Sequence, residues 1–554
     1  MIGVVAVTAA GRTGAGVLGA AWAGEVRVYE GPAAEALPAA FAECEGVVAF
    51  LPTGVAVRLL APHLAGKDRD PGVVCVDEGR RWAVALLGGH SGGANRLAER
   101  VADALGAEPV VTTGSDTANL PGLDTLGWPA EGAVAAVGRA LLDGEPVRLA
   151  ADATWPLPPL PLGDRGSFTL RVTDRLERAD PRTAVLRPPS LVVGVGASRG
   201  VTADEVGGLV DAALAEAGLS PASVRRLATI DVKAGEPGLV ALAASRGWEL
   251  ATYPAAALAA VAVPNPSARV AAEVGTPSVA EAAALLGGGT LLIPKRRSAN
   301  ATAAVARHRP RGRLALVGLG PGARDLLTPR AVAELRRASV VVGLDQYLDQ
   351  VRDLLRPGTR VLATGLGQEE ERARAAVAEA RAGHAVALVG SGDAGVYAMA
   401  GPALELAGDE IDVVGVPGVT AALAAAALLG APLGHDHAAI SLSDLHTPWP
   451  AIEARVRAAA AADLVVSFYN PRSRGRDWQL DAALKLLREH RPGTTPVGVV
   501  RDASRPGERV AVSALQHVDT STVDMYCVVV VGSSASRLVA GRFVTPRGYA
   551  WPHP

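Results

Sequence analysis

A chain of 554 residues exceeds what one hydrophobic core can fill, so roughly two to four domains are expected. It is rich in alanine, glycine and valine, and its formal net charge of -2 lacks the basic excess of a nucleic-acid binder. No uninterrupted apolar run reaches the roughly 18 to 20 residues of a membrane helix; Cys44, Cys75 and Cys527 are far apart and in or beside apolar runs, which argues against a disulfide framework or a zinc site and for a reducing cytosol.

Short Val-rich strands alternate with Ala/Leu helices along the whole chain, the pattern of an α/β protein. The start, Met1 to Gly14, reads as an apolar strand and a Gly loop without the basic lead of a secretory signal. Residues 2–7, 47–51, 73–76 and 83–87 are predicted as buried strands, and 93–105 as a helix with Leu97, Val101 and Leu105 on one face. Residues 83–105 thus form strand, Gly-rich turn and helix. His90, Ser91 and Asn95 fall at the turn and first helical turn, where free amides favour an anion. Open α/β sheets bind substrates at this end of their strands. His90 can relay a proton or simply bond its own turn. Asp116 and Asp124 flank a Pro-Gly loop, as ligands or as turn and cap residues. From about 150 to 190 the chain is Pro-rich and irregular, a linker or small subdomain. A new α/β unit starts at Leu191-Val192-Val193-Gly194-Val195-Gly196. Asp231 and Lys233 are expected on one face of a strand end, Leu227 to Val232, as an acid/base or substrate-carboxylate pair or as a surface salt bridge. The basic stretch from Pro294-Lys295-Arg296-Arg297 to Arg313 reads as a solvated junction or as a contact for a polyanionic substrate.

The rear half opens with the strand-like Leu314-Ala315-Leu316-Val317, the turn Gly318-Leu319-Gly320-Pro321-Gly322 and a helix from Pro329. Glycines there tolerate unusual φ and let a ligand approach bare amides at a helix mouth. Gly390-Ser391-Gly392-Asp393-Ala394-Gly395-Val396-Tyr397 follows a second strand, Ala385 to Val389. Val416-Pro417-Gly418-Val419-Thr420-Ala421 comes next, then Phe468-Tyr469-Asn470-Pro471-Arg472-Ser473 after the strand Leu464 to Phe468. Arg472, Arg474 and Arg476 read either as a solvated loop or as a bidentate clamp for carboxylates.

In this order and spacing the four rear stretches resemble the tetrapyrrole methyltransferase family. With Leu428 to Asp436, Ile440 to Leu445 and Thr545-Pro546-Arg547-Gly548-Tyr549, they are most similar to its precorrin-3B C17-methyltransferase branch. The front half resembles the cobalt-precorrin-5A hydrolase family through Leu87 to Asn95, Thr229 to Leu239, Pro264-Asn265-Pro266-Ser267, Val274 to Ala284 and Leu292-Ile293-Pro294-Lys295. It departs from that family at Ala197, where a cysteine is usual, and at Ser198, where a basic residue is usual.

The resemblances imply domains at 1–123, 124–190, 191–308 and 311–554, the last a two-domain methylase fold with mixed sheets. They imply S-adenosyl-L-methionine as cofactor, held by Gly318, Gly320, Pro321, Gly322, Gly392, Asp393, Val396, Tyr397, Thr420, Ala421 and Tyr469. They also imply C17 methylation with ring contraction, and opening of a lactone with release of acetaldehyde. For the latter His90, Asp116, Asp231 and Lys233 are the candidate catalytic residues, and Asn95, Arg472 and Arg474 are candidate substrate contacts. Cobalt enters only inside the tetrapyrrole substrate, and a homodimer through the methyltransferase half is implied. The missing thiol at Ala197 keeps open a second reading, in which the front half only binds the tetrapyrrole.

Overall fold

The computed structural model describes residues 1–66, 69–89, 92–112, 120–178, 180–473 and 475–549. It divides into two compact units, Met1–Ala153 with Leu160–Pro310, and Thr154–Pro159 with Arg311–Pro554.

Among the described residues the front unit holds three sheets. The first runs in the order Val26–Tyr29, Ile2–Ala6, Gly46–Phe50, Gly72–Val76, Trp82–Leu87, Glu108–Val110. Its central strands are apolar at every position and buried on both faces, as parallel strands covered by helices must be. The helix Ala94–Leu105 packs Leu97 and Val101 against Val48 and Val74. Its start comes close enough that a Cβ on Gly72 would lie 2.7 Å from Ala94 N.

The Pro-rich stretch is more regular than the sequence suggests. Ala130–Gly132, Thr183–Leu186, Phe168–Val172, Val147–Ala151 and Leu162–Gly163 form a second sheet in that order. Buried Asp174 then joins it to the third sheet, accepting from Arg307 (2.6 Å to each carboxylate oxygen) and from the Ser190 hydroxyl (2.7 Å).

The third sheet runs Glu249–Tyr253, Val224–Ile230, Leu191–Ala197, Ala301–Arg307, Thr290–Arg297. The expected basic junction from Pro294 is therefore corrected. Lys295, Arg296 and Arg297 end an edge strand whose hairpin partner completes the sheet. Edge strands commonly carry such charges because they discourage pairing with another chain. Arg296 here pairs with Glu216 at 2.6 Å.

The rear unit has one wholly parallel sheet, in the order Arg360–Thr364, Val340–Leu344, Ala385–Gly390, Arg313–Gly318, Asp412–Val416. A mixed sheet follows, in the order His437–Ser441, Val465–Tyr469, Cys527–Val531, Pro496–Arg501, Arg509–Ala514. Helix Pro329–Arg337, which follows the Arg313–Gly318 strand, packs on one face with Val317 and Val341. Helices Glu369–Arg381 and Ala400–Leu406 pack on the other with Leu314 and Leu316. Helices thus leave the adjacent Arg313–Gly318 and Ala385–Gly390 strands on opposite faces, which opens a crevice between their carboxyl ends.

Candidate active sites in the two units

The rear crevice is where the Gly-rich loops meet. The Gly320 amide donates to the Gly392 carbonyl (3.0 Å) and the Gly392 amide returns a bond to Gly320 (2.8 Å). The Leu319 amide donates to Gly390 at 2.9 Å. The expectation of bare amides at a helix mouth is therefore corrected: these groups bond the neighbouring loop. A 3-10 turn, Arg324–Leu326, also separates the Gly-Pro-Gly turn from the Pro329–Arg337 helix, which Thr328 caps through its hydroxyl and Ala331 N. Glycine is required because three backbones touch. A Cβ on Gly418 would lie 2.1 Å from the Gly392 oxygen, and one on Gly318 would lie 2.7 Å from it.

Asp393 ties the same loops. One carboxylate oxygen accepts from Gly395 N (2.8 Å), the other from Gly418 N (3.0 Å). Val396 N donates to the Asp393 carbonyl at 3.3 Å. The next residue, Tyr397, is held at φ 51° in the left-handed region. Its hydroxyl donates to the Ala439 carbonyl (2.8 Å) in the mixed sheet, and its ring centroid lies 5.1 Å from that of Tyr469. Partial burial pushes the Tyr397 phenol up.

Tyr469 ends a fully buried strand, so its hydroxyl points at the start of helix Ala421–Leu429. It accepts from Ala422 N (3.0 Å) and shares a 2.6 Å hydrogen bond with the Thr420 hydroxyl. Thr420 occupies the N-cap position without bonding the helix itself, so Tyr469 does the capping from another strand. Arg505 was not anticipated by the sequence. From a turn with Asp502 and Ser504 at positive φ it donates to the Pro321 carbonyl (2.5 Å) and to the Ser391 hydroxyl (2.6 Å). Its side chain lies against Gly322, where a Cβ would be 2.5 Å from Arg505 Cγ. The proposed arginine clamp is partly used internally: Arg472 donates to the Thr520 carbonyl (2.8 Å), and buried Arg476 to those of Leu442 (3.1 Å) and Asn470 (2.6 Å). Arg474 lies outside the described residues.

In the front unit His90, Ser91 and Asp116 lie outside the described residues. Asn95 is buried in the first turn of its helix, its backbone N–H donating to the Gly89 carbonyl (3.0 Å). The pairing expected of Asp231 and Lys233 is corrected. The strand ends at Ile230, and Asp231–Lys233 is a 3-10 turn, so the two do not share a strand face. Asp231 instead accepts from Val232 N (2.7 Å). Lys233 pairs with buried Glu236 at 2.9 Å, whose other oxygen accepts from Gly200 N at 2.7 Å. Lys233 and the Gly200 amide together hold the Glu236 carboxyl below its ordinary value.

Two further carboxylates fix the Thr290–Arg307 hairpin. Glu281, wholly buried, accepts from Asn265 N (3.0 Å), Asn265 Nδ2 (2.7 Å) and Lys295 N (3.0 Å), so it joins three of the front-half motif blocks. Glu205 accepts from the Ser298 hydroxyl (2.6 Å), Asn300 N (2.7 Å) and Asn300 Nδ2 (3.2 Å), which hold it below its ordinary value.

Two Gly-tied loops at a crossover crevice, flanked by the ring of Tyr397 from one loop and that of Tyr469 from a second sheet, define a binding unit built from backbone and a few polar ties. Residues 313–519 match the tetrapyrrole (corrin/porphyrin) methylases, 191–306 the cobalamin synthesis G C-terminus, and 35–116 the cobalamin synthesis G N-terminal region. A probable cobalt-factor III C(17)-methyltransferase of Salmonella typhimurium is 46% identical over 239 residues, 43% of this chain and 99% of that protein. The precorrin-3B C(17)-methyltransferase of a Sinorhizobium species is 42% identical over 250 residues, 43% of this chain and 98% of that protein. The cobalt-factor III methyltransferase of Priestia megaterium is 40% identical over 248 residues, 43% of this chain; the match spans 45% of that protein, less than half its length. The chain belongs to the tetrapyrrole methylase family, fused behind both parts of the cobalamin synthesis G family. Among the described residues no helix is long and apolar enough to cross a membrane.

Proposed function

We propose that the rear unit methylates C17 of a contracting corrin precursor, precorrin-3B or its cobalt-containing counterpart, using S-adenosyl-L-methionine. The observation that carries this reading is the crevice between the Arg313–Gly318 and Ala385–Gly390 strands, with its loops locked by the Gly320–Gly392 bonds. The residues there suit such a donor. They offer backbone and the Asp393 carboxylate to a cationic, amphipathic group, while the Arg505 guanidinium that reaches them is already bonded to Pro321 and Ser391. When bound, the donor supplies an already activated methyl group. The chain's task is therefore to orient and to exclude water, which can contribute roughly 7–11 kcal/mol in well-oriented cases. Gly318, Gly320, Pro321, Gly322, Gly392, Asp393 and Val396 would shape the donor side. Thr420, Ala421, Tyr397 and Tyr469 would set the wall between donor and macrocycle, and Arg472 and Arg474 would meet its carboxylates. Pairing through this unit into a homodimer belongs to the same reading.

The front unit, on this reading, opens the lactone of a cobalt-precorrin-5A ring and releases acetaldehyde in the cytoplasm. The step needs an activated water and a stabilised oxyanion, for which His90, Asp116, Asp231 and Lys233 are the candidates, with Asn95 as a candidate substrate contact. Ala197 puts a methyl group at the end of the Leu191–Ala197 strand, which favours as second reading a front unit that binds the tetrapyrrole without hydrolysing it. Full-length protein given the lactone-bearing substrate should release acetaldehyde. Tetrapyrrole binding without acetaldehyde would select the second reading.

A further inference from the structure

The third sheet of the front unit carries a cavity of about 550 Å³ at the carboxyl ends of the Leu191–Ala197 and Val224–Ile230 strands. Its apolar wall includes Ile230, Val270 and Val279, and exposed Val232 sits on its rim. Four cations line it, Lys233, Arg269, Lys295 and Arg297, against one lining carboxylate, Glu273. Two of these cations are already paired, Lys233 with Glu236 and Arg269 with Glu273, and the other neighbouring acids are held by hydrogen bonds. Glu236 holds Lys233 and the Gly200 amide, Glu281 holds the backbone of Lys295 and Asn265, and Glu205 holds Ser298 and Asn300. Lys295 Nζ donates to the Asn265 carbonyl (2.8 Å), and Arg269 meets Glu273 at 2.9 Å along one exposed helix face. For the Arg297 side chain no hydrogen bond or ion pair is found among the described residues, although its backbone is fixed by pairing with Thr302. A guanidinium on a rigid strand beside an apolar wall suits an amphipathic ligand with peripheral carboxylates, which it can grip bidentately.

We propose that this cavity is the front unit's binding site for the carboxylate side chains of the tetrapyrrole, with Arg297 as the open cation and Lys233 and Lys295 beside it. The proposal rests on the reading that the front unit handles a tetrapyrrole, and it names where.

The test is hydrogen–deuterium exchange on the full chain with uroporphyrin III, a soluble polycarboxylate macrocycle, as probe. Peptides covering 196–199, 230–233 and 295–302 should be protected on titration. Arg297→Glu should weaken that protection at least tenfold, Arg297→Lys should restore most of it, and protection of the rear loops at 318–328 should be unchanged in both. Wild-type protein with protected rear loops but unprotected 295–302 would overturn the proposal, as would protection indifferent to Arg297→Glu. Acetaldehyde release that persists undiminished in Arg297→Glu would likewise reject this cavity while leaving the hydrolase reading standing. Absence of acetaldehyde from the wild type would end the hydrolase reading, and cavity protection by the probe would still support the binding site.

Discussion

Replacing Tyr469 by phenylalanine removes one hydroxyl from the seam between the parallel and mixed sheets. The ring stays, with its neighbour Tyr397 at 5.1 Å, so packing is preserved. What is lost is the acceptor for Ala422 N (3.0 Å) and the partner of the Thr420 hydroxyl (2.6 Å). Ala422 is buried, so its amide cannot turn to water. An unpaired buried donor costs ~1–3 kcal/mol, and loss of a helix N-cap falls in an overlapping range of ~0.5–2 kcal/mol. The two describe one bond and are not summed. If the donor must find the start of helix Ala421–Leu429 in its present place, the same free energy is subtracted from binding. At about 1.4 kcal/mol per decade, affinity for S-adenosylhomocysteine should fall roughly 5- to 150-fold. Thr420→Val keeps the Tyr469–Ala422 bond and loses a single neutral hydrogen bond of ~0.5–1.5 kcal/mol, so its loss should be the smaller of the two. Isothermal titration calorimetry of both variants gives the order. A Tyr469→Phe protein that binds within twofold of wild type, with the helix equally protected from exchange, would refute the assignment of Tyr469 as the cap that shapes the site.

Gly418→Ala places a Cβ 2.1 Å from the Gly392 carbonyl oxygen, all against backbone, so the loops must part; donor binding should be lost while the mixed sheet keeps its exchange protection. Glu281→Gln keeps the shape but turns an NH₂ toward one of the three N–H donors, which should cost ~1–3 kcal/mol and appear as faster exchange in the 290–307 hairpin, with 313–416 unaffected. The Glu236 tie should be pH-dependent. Its folded-state pKa lies below the ordinary 4.5, chiefly through the Lys233 hydrogen bond, so the tie contributes fully above the unfolded value and is lost as pH falls through the folded one. Exchange at the Gly200 amide, corrected for intrinsic rates, should accelerate below about pH 4.5 in the wild type. In Glu236→Gln it should be fast and flat with pH.

The strands were the legible part of this chain. Runs such as Val47–Phe50 and Val73–Val76 are apolar at every position because helices cover both faces, and that leaves no ambiguity of period. The Pro-rich middle hid a sheet because its strands are short and prolines such as Pro129, Pro146 and Pro161 stand directly before them. The Pro294–Arg297 stretch misled for a related reason, since an edge strand carries the same charges as a solvated junction. At the sites, local pattern gave the loops but not their partners. Thr202 and Glu205, like Ser278 and Glu281, have the spacing of a capping box, and in both the hydroxyl does cap the glutamate amide. Yet neither glutamate reaches back to its cap; each crosses to the Thr290–Arg307 hairpin, a contact no local spacing encodes. Arg505 and the capping by Tyr469 are also non-local, reaching Pro321 across 184 residues and Ala422 across 47. In the Gly-rich stretches glycine serves contact between loops, which their local pattern does not name.

The central proposal is methyl transfer at the Gly320–Gly392 crevice. Full-length protein incubated with methyl-labelled S-adenosylmethionine and precorrin-3B or cobalt-factor III should place the label on the macrocycle, and Gly418→Ala should abolish transfer. Folded wild-type protein that binds the macrocycle yet leaves it unlabelled, with either form of the ring, would contradict it.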